Sequence, residues 1–258
     1  MGDPSRPRQG RKRKRPRSAQ EREAARRRQQ EQEREAARRR RARRLKIAGI
    51  VFAALMLLIG LELLLHRPNA EERALLARAS AAAGQAGCTQ VGTIRPFPRG
   101  RDRIHIGGSD EPVMPPLSDY PSQPPVSGPH NATPLHAGVY GTPPPIDQAI
   151  HSLEHAAVII WYDPAEGSTR ALAGIKRFFA RGNETNHVIV APYNYPAEGD
   201  AGRLLPGTGM ALAAWHHLQT CREPDLAVAY AFVTDYRMNL YRFWEYRGDA
   251  PERWIGPI

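Results

Sequence analysis

Residues 47–65 read Ile-Ala-Gly-Ile-Val-Phe-Ala-Ala-Leu-Met-Leu-Leu-Ile-Gly-Leu-Glu-Leu-Leu-Leu, and no other stretch limits the chain as much. A helix apolar on every side does not lie on the surface of a water-soluble domain. At about 1.5 Å per residue this run measures roughly 28 Å, close to the hydrocarbon core of a bilayer at about 30 Å. Glu62 is its one charge and lies a turn from the far end, within reach of the interface. A cleaved signal peptide would have a shorter basic region and a small-x-small site soon after the run. The faint lipoprotein-like segment Gln85-Ala-Gly-Cys88 lies too far downstream and lacks the apolar residue expected three positions before the cysteine. The run is therefore expected to be an uncleaved transmembrane helix.

Charge then sets the orientation. The formal net charge is +11, but residues 1–46 hold 20 of the 37 Lys/Arg and 6 of the 26 Asp/Glu, a net of +14. The other 212 residues carry 17 basic and 20 acidic groups, a net of −3. The part long enough to fold is slightly acidic, which excludes a uniformly basic nucleic-acid-binding domain. Arg38-Arg39-Arg40-Arg41, Arg43, Arg44 and Lys46 abut the apolar run, so the N-terminus is expected in the cytoplasm and residues 66–258 outside. The tail suits anionic lipid head groups, and with no aromatic residues among its arginines no specific nucleic-acid partner is expected. Residues 1–20 are expected to be disordered and 21–44 to form a solvated helix. That helix would be laced by i,i+4 pairs such as Glu23/Arg27 and Glu35/Arg39.

Beyond the anchor, residues 66–87 read as a short helix and a small-residue linker, and residues 88–258 as one exported domain. Thirteen of the 24 prolines fall within 96–145, which makes that stretch loop-rich with short extended pieces such as Asp102–Ile106. Helices are expected over Ile146–His155, Ser168–Arg181 and Pro224–Tyr236, the last continuing over Leu240–Tyr246. Strands are expected over Ala157–Tyr162, His187–Ala191 and Met210–Leu218. The fold class is α+β, or a small α/β domain, with a three-to-four-stranded sheet and two or three helices. Trp161, Trp215 and Trp244 read as core anchors. Cys88 and Cys221 are the two cysteines, and an exported location favours a disulfide between them.

Five of the nine histidines lie between positions 105 and 155: His105, His130, His136, His151 and His155. On a helix His151 and His155 sit one turn apart on one face, so two imidazoles can share one ion. His130 follows Ser127-Gly-Pro, a stiff turn. His130, His151 and His155 thus form a candidate metal site, with His105 and Glu154 as further candidates. Neutral imidazoles favour Zn or Cu over Mg or Ca. Two other readings stand beside it. One is a structural hydrogen-bond cluster in a cell-envelope interaction module. The other is a metal-dependent hydrolase with Glu154 as general base, since His-x-x-Glu-His matches an inverted zinc-peptidase motif. The hydrolase needs a distant third carboxylate, for which Glu166, Glu184, Glu198 and Glu223 are available. His187, His216 and His217 read as core or surface residues on strands, with His216 and His217 on opposite faces.

Tyr120-Pro-Ser-Gln-Pro-Pro-Val-Ser-Gly-Pro-His130, Gly138-Val-Tyr140 and His151-Ser-Leu-Glu-His155 leading into an apolar strand together resemble the bacterial domain-of-unknown-function family 3105. The resemblance spans roughly Cys88 to Pro251. It implies a single-pass membrane or exported protein and places His105, His130, His151, Glu154 and His155 in shared segments. It implies no activity. Where members usually carry Gly after the second His, this chain has Ala156.

Overall fold

The computed structural model describes residues 19–109, 111–166, 169–182 and 186–254, in two units that divide after Leu65. The first unit is one helix, α1 (Ala19–Leu65), with no buried residue. The arginine-rich stretch and the apolar run were expected as separate helices. They merge because no proline interrupts Leu45-Lys46-Ile47. The expected pairs form, Arg27 with Glu23 at 2.8 Å and Arg39 with Glu35 at 3.9 Å. By length and composition the apolar part suits a membrane span or a signal sequence. The expected disorder of residues 1–20 falls almost wholly outside the described residues.

The second unit begins with α2 (Ala70–Gln85). Its start is fixed by a reciprocal cap in which Asn69 Oδ1 accepts from Glu72 N at 2.9 Å and Glu72 Oε2 accepts from Asn69 N at 3.1 Å. Such a cap contributes about 1 kcal/mol. Leu75 and Ala82 of this helix are buried in the core, so the segment read as a linker packs into the unit that follows it.

A mixed sheet organises the rest, with strands β1 (Gly92–Thr93), β2 (Gly138–Val139), β3 (Val158–Tyr162), β4 (Val188–Pro192), β5 (Met210–Ala214) and β6 (His217–Cys221) in the order β1-β6-β5-β3-β4-β2. β2, β4 and β3 run parallel, and β5, β6 and β1 complete the sheet antiparallel. The architecture is α+β, but the sheet has six strands where three or four were expected. Two of the added strands are two-residue edge pairings that leave no periodic trace. A third arises because Met210–Leu218, expected as one strand, is a hairpin. Ala214 pairs with His217 across a two-residue turn, Trp215-His216, and His216 takes φ +58°. Tight hairpin turns use the left-handed region, usually through Gly or Asn, so a histidine there hides the turn.

β3 and β4 are buried along their whole length and need cover on both faces. One face receives α2, α4 (Arg170–Phe179) and α5 (Leu226–Tyr236), packed on Val158, Ile160, Val188 and Leu212. α4 supplies Leu172, Ile175, Phe178 and Phe179 at helical spacing and forms the crossover between β3 and β4. On the other face α3 (Ile146–Glu154) and the proline-rich segment cover Ile159, Trp161 and Ile189. α5 stops at Tyr236 and does not continue to Tyr246, because Met238 N turns to donate to Ala156 O at 3.2 Å and its side chain is buried on that second face. Only a single turn, Phe243–Glu245, follows. Trp161 and Trp215 are core residues as expected, but Trp244 is 58% exposed and anchors no core.

Cys88 and Cys221 form a disulfide across a sequence separation of 133. The chain-entropy account of such a closure sets a ceiling of about 5 kcal/mol on its contribution. The Cys88→Ser/Cys221→Ser variant is therefore expected to melt well below the oxidised protein, and equal melting temperatures would show that the bond adds nothing.

Candidate functional site

α3 is the element on which the site is built. Ile146, Ala149, Ile150 and Leu153 follow helical spacing and turn to the sheet. His151, Ser152, Glu154 and His155 are buried as well, because the proline-rich segment closes over the other side. Ser152 Oγ fastens that segment by donating to Leu135 O at 2.8 Å and accepting from Leu135 N at 2.9 Å. The helix ends at Glu154, and Ala156 adopts φ +62°. The left-handed conformation for which glycine is the natural residue is thus present despite the alanine.

Two pieces of the proline-rich segment bring in the distant histidines. Residues 102–106 and 128–130 lie side by side, with Gly128 N donating to Asp102 O at 3.0 Å, His130 N to Ile104 O at 3.0 Å and Ile106 N to His130 O at 2.7 Å. His105 and His130 pair directly across this short bridge. Gly128 has φ +123°, and a Cβ there would come within 2.6 Å of Tyr120 Cε1 and 2.8 Å of Phe97 Cδ2. Only glycine lets the loop pass beneath those rings and deliver His130 to the interior.

The result is one cluster. Ligand-capable atoms of His105, His130, His151 and Glu154 all lie within 4.8 Å of one another. The His105 and His151 rings stack at 5.0 Å with an interplanar angle of 7°. His155 lies outside this group. It meets His151 Nε2 to Nε2 at 2.8 Å, and a second group joins His151, His155 and Glu252. His136 is exposed and joins neither group.

The hydrogen bonds fix how each ring points. His130 Nδ1 lies 2.7 Å from Gly128 O and His151 Nδ1 lies 2.6 Å from Asn131 O. A carbonyl only accepts, so both Nδ1 atoms carry a proton; in a neutral ring Nε2 is then a lone pair, directed in His151 at His155 Nε2 and in His130 at Glu154. His130 Nε2 stands 3.0 Å from Glu154 Oε2, where both side chains are about fully buried. The pair lacks hydrogen-bond alignment, and both atoms are otherwise without a partner. With His130 neutral these are two acceptors, at a cost of about 1–3 kcal/mol apiece unless a proton or a metal cation lies between them. The other oxygen, Oε1, accepts from Arg103 Nε, and Arg103 Nη2 reaches Glu252 Oε1 at 3.1 Å. Burial pushes the Glu154 carboxyl up, but the donor and positive charge that His130 offers when protonated, with those of Arg103, outweigh it and hold it below its ordinary value. Burial, aided by the neighbouring histidines, lowers His151 despite its bond to Asn131 and favours the neutral ring a metal requires.

Among the described residues, neither Glu198 nor Glu223 joins the group of His151 and His155 as the third carboxylate a peptidase needs. Glu154 accepts from Arg103 and faces His130. Glu198 accepts from Leu117 N at 2.9 Å. Glu184 lies outside the described residues. The carboxylate that does approach, Glu252, stands 3.4 Å from His155 Nε2. It sits about a hundred residues downstream in a segment without periodicity, and like Arg103 it gave no signal in sequence.

A second polar knot braces the loop from below. Asp102 accepts from Phe97 N and Ser127 Oγ, each at 2.6 Å, and from His216 Nε2 at 2.7 Å. His216 Nδ1 reaches Asp249 at 2.9 Å. His216 is thus a turn residue between two carboxylates, not a strand residue. His217 does lie on β6, and His187 precedes β4 at φ +56°. Burial lowers His216, but Asp102 and Asp249 outweigh it and raise its pKa. Burial raises Asp102, but His216, Ser127 and Phe97 outweigh it and lower its pKa. A raised histidine stabilises the fold fully below its ordinary pKa and loses that stabilisation as pH rises through the raised value. A lowered carboxylate does the reverse, losing its contribution as pH falls through the lowered value. His216→Asn, which tolerates the positive φ, is therefore expected to lower the melting temperature most near about pH 5.5 and least near about pH 9. A deficit that grows toward alkaline pH would contradict the charged clamp.

Comparison with known proteins adds one likeness. Residues 117–243 match the model of a family described as "Protein of unknown function (DUF3105)". The matched stretch is narrower than the resemblance read from sequence. It contains His130, His151, Glu154 and His155 and excludes Arg103, His105 and Glu252. No curated protein and no solved structure gives a significant match. Over residues 117–243 the chain is similar to this family of unknown function, DUF3105.

Proposed function

We propose that this chain is a single-pass membrane protein whose outward-facing domain binds one transition-metal ion through His105, His130, His151 and Glu154. The observation that carries the reading is the buried pair His130 Nε2 and Glu154 Oε2, 3.0 Å apart and without hydrogen-bond partners, which are two acceptors when His130 is neutral. A cation between them resolves the conflict. The bonds of His130 and His151 to the Gly128 and Asn131 carbonyls are the outer support typical of metal-bound imidazoles. Ligands on one tetrahedral zinc sit about 3.3 Å apart, so a set within 4.8 Å closes on an ion by small side-chain rotations. His155 then belongs beside the centre, held by Glu252 and touching His151, and is not one of the ligands. Three imidazoles and a carboxylate suit Zn²⁺ or Cu²⁺. Four protein ligands leave no open position, which favours a structural, storage or delivery role over hydrolysis.

The membrane part of the reading rests on the apolar run of α1 and the arginine cluster before it. An alkaline-phosphatase fusion after Ser80 is expected to be active in a bacterial host. An inactive fusion, with a cytoplasmic reporter active at the same point, would reverse the orientation.

For the metal, the detergent-solubilised full chain without a histidine tag is incubated with Zn²⁺ or Cu²⁺, desalted and analysed for metal. About one equivalent is expected for the wild type, and less than about a tenth for His130→Ala and for Glu154→Gln. Glu154→Gln keeps the size of the side chain and serves where His130→Ala is poorly folded. Metal at about 100 times its dissociation constant is expected to stabilise the domain by about 2.7 kcal/mol, read as a higher melting temperature. A wild-type protein that retains no metal and melts unchanged would end this reading.

A further inference from the structure

Large apolar side chains exposed outside α1 divide into two kinds. Val91, Val113, Val139 and Leu205 occur singly, which is ordinary for a protein surface. Leu240, Tyr241, Phe243, Trp244 and Trp254 do not: they are 70%, 41%, 53%, 58% and 61% exposed within fifteen residues of one another in sequence. Ring contacts join three of them, with Phe243 5.4 Å from Trp244 and 6.3 Å from Trp254 between centroids, and Leu240 and Tyr241 adjoin these in sequence. An exposed aromatic group of this kind marks a place of contact.

The occupant follows from the chain itself. His66 stacks on Tyr241 with centroids 3.5 Å apart and planes 10° from parallel. His66 is also the residue immediately after Leu65, where the apolar helix ends. The stacking partner of Tyr241 is thus the next residue in sequence after the apolar run. Trp, Tyr and Phe are the side chains that favour the water–bilayer interface, where the ring is buried and its polar edge stays wet. Charge does not compete with this assignment. Residues 237–254 hold Arg237, Arg242, Arg247 and Arg253 against Glu245, Asp249 and Glu252, a near balance that gives no preference for anionic lipid.

We propose that Tyr241, Phe243, Trp244 and Trp254, with Leu240, rest in the head-group region of the bilayer that the apolar helix enters, so that the domain lies on the membrane surface. The proposal rests on reading residues 47–65 as a span, and its test separates the two.

The full chain is reconstituted in vesicles of phosphatidylcholine, with or without lipid brominated high on the acyl chain, and its tryptophan emission is compared. Trp161 and Trp215 are buried, so quenching reports on Trp244 and Trp254. Emission is expected to fall with the brominated lipid, and equally when anionic phosphatidylglycerol is included. Trp244→Phe/Trp254→Phe is expected to abolish the quenching, which assigns it. Phe243→Ser/Trp254→Ser keeps Trp244 as reporter and is expected to lose most of it at an unchanged melting temperature. Alkaline carbonate tests the span separately. Protein retained by the membrane but unquenched would overturn the patch and leave the span standing. Protein released by carbonate would overturn the span, and the proposal with it.

Discussion

The constraint on which the domain depends is that β3 and β4 have no solvent face. Val158–Tyr162 and Val188–Pro192 are buried on both sides, and a strand of that kind needs two covering layers. Helices α2, α4 and α5 provide one layer. The chain has only α3 for the other, so a proline-rich segment completes it. Irregular backbone in a buried layer must satisfy its polar groups one by one. Short bridges, the Ser152 clasp to Leu135 and the Asp102 knot do this work. The site is a by-product of the same solution, because the loop that covers the sheet is the loop that delivers His105 and His130 to α3.

Electrostatics then separates the two polar clusters. At Asp102 and His216 the charges are complementary and each group finds its partner. At His130 and Glu154 the Gly128 carbonyl takes the Nδ1 proton, so a neutral His130 turns an acceptor on an acceptor. One cluster is closed and braces the loop. The other lacks a matching positive charge while His130 is neutral, and that difference separates the two clusters more sharply than the histidine count does.

The fold was readable where period and length are strong. Ala157–Tyr162 and His187–Ala191 match β3 and β4 to within a residue, and the Leu172/Ile175/Phe178/Phe179 stripe locates α4. The hairpin at Trp215-His216 was not, because a histidine occupies a conformation normally announced by Gly or Asn. The edge strands were not, because two residues carry no alternation. At the site, local spacing foretold the His151–His155 contact on α3. It could not tell that His105 would replace His155 in the tight group, since that depends on a loop folding back over about 25 residues, a long-range packing result. Arg103 and Glu252 were invisible for the same reason. Trp244 misled because aromatic content speaks for burial, and composition does not tell an exposed ring from a buried one.

The Cys88–Cys221 bond has one further consequence, and it is mechanical. A pull on the N-terminal end of α2 travels through it to Cys88 and there has two routes to the C-terminal segment. The covalent shortcut to Cys221 is short and inextensible, whereas the long way runs through residues 89–220. Tension takes the shortcut. His105, His130, His151, Glu154 and His155 all lie in the bypassed loop, so strain borne by the ends of the chain is kept out of the cluster.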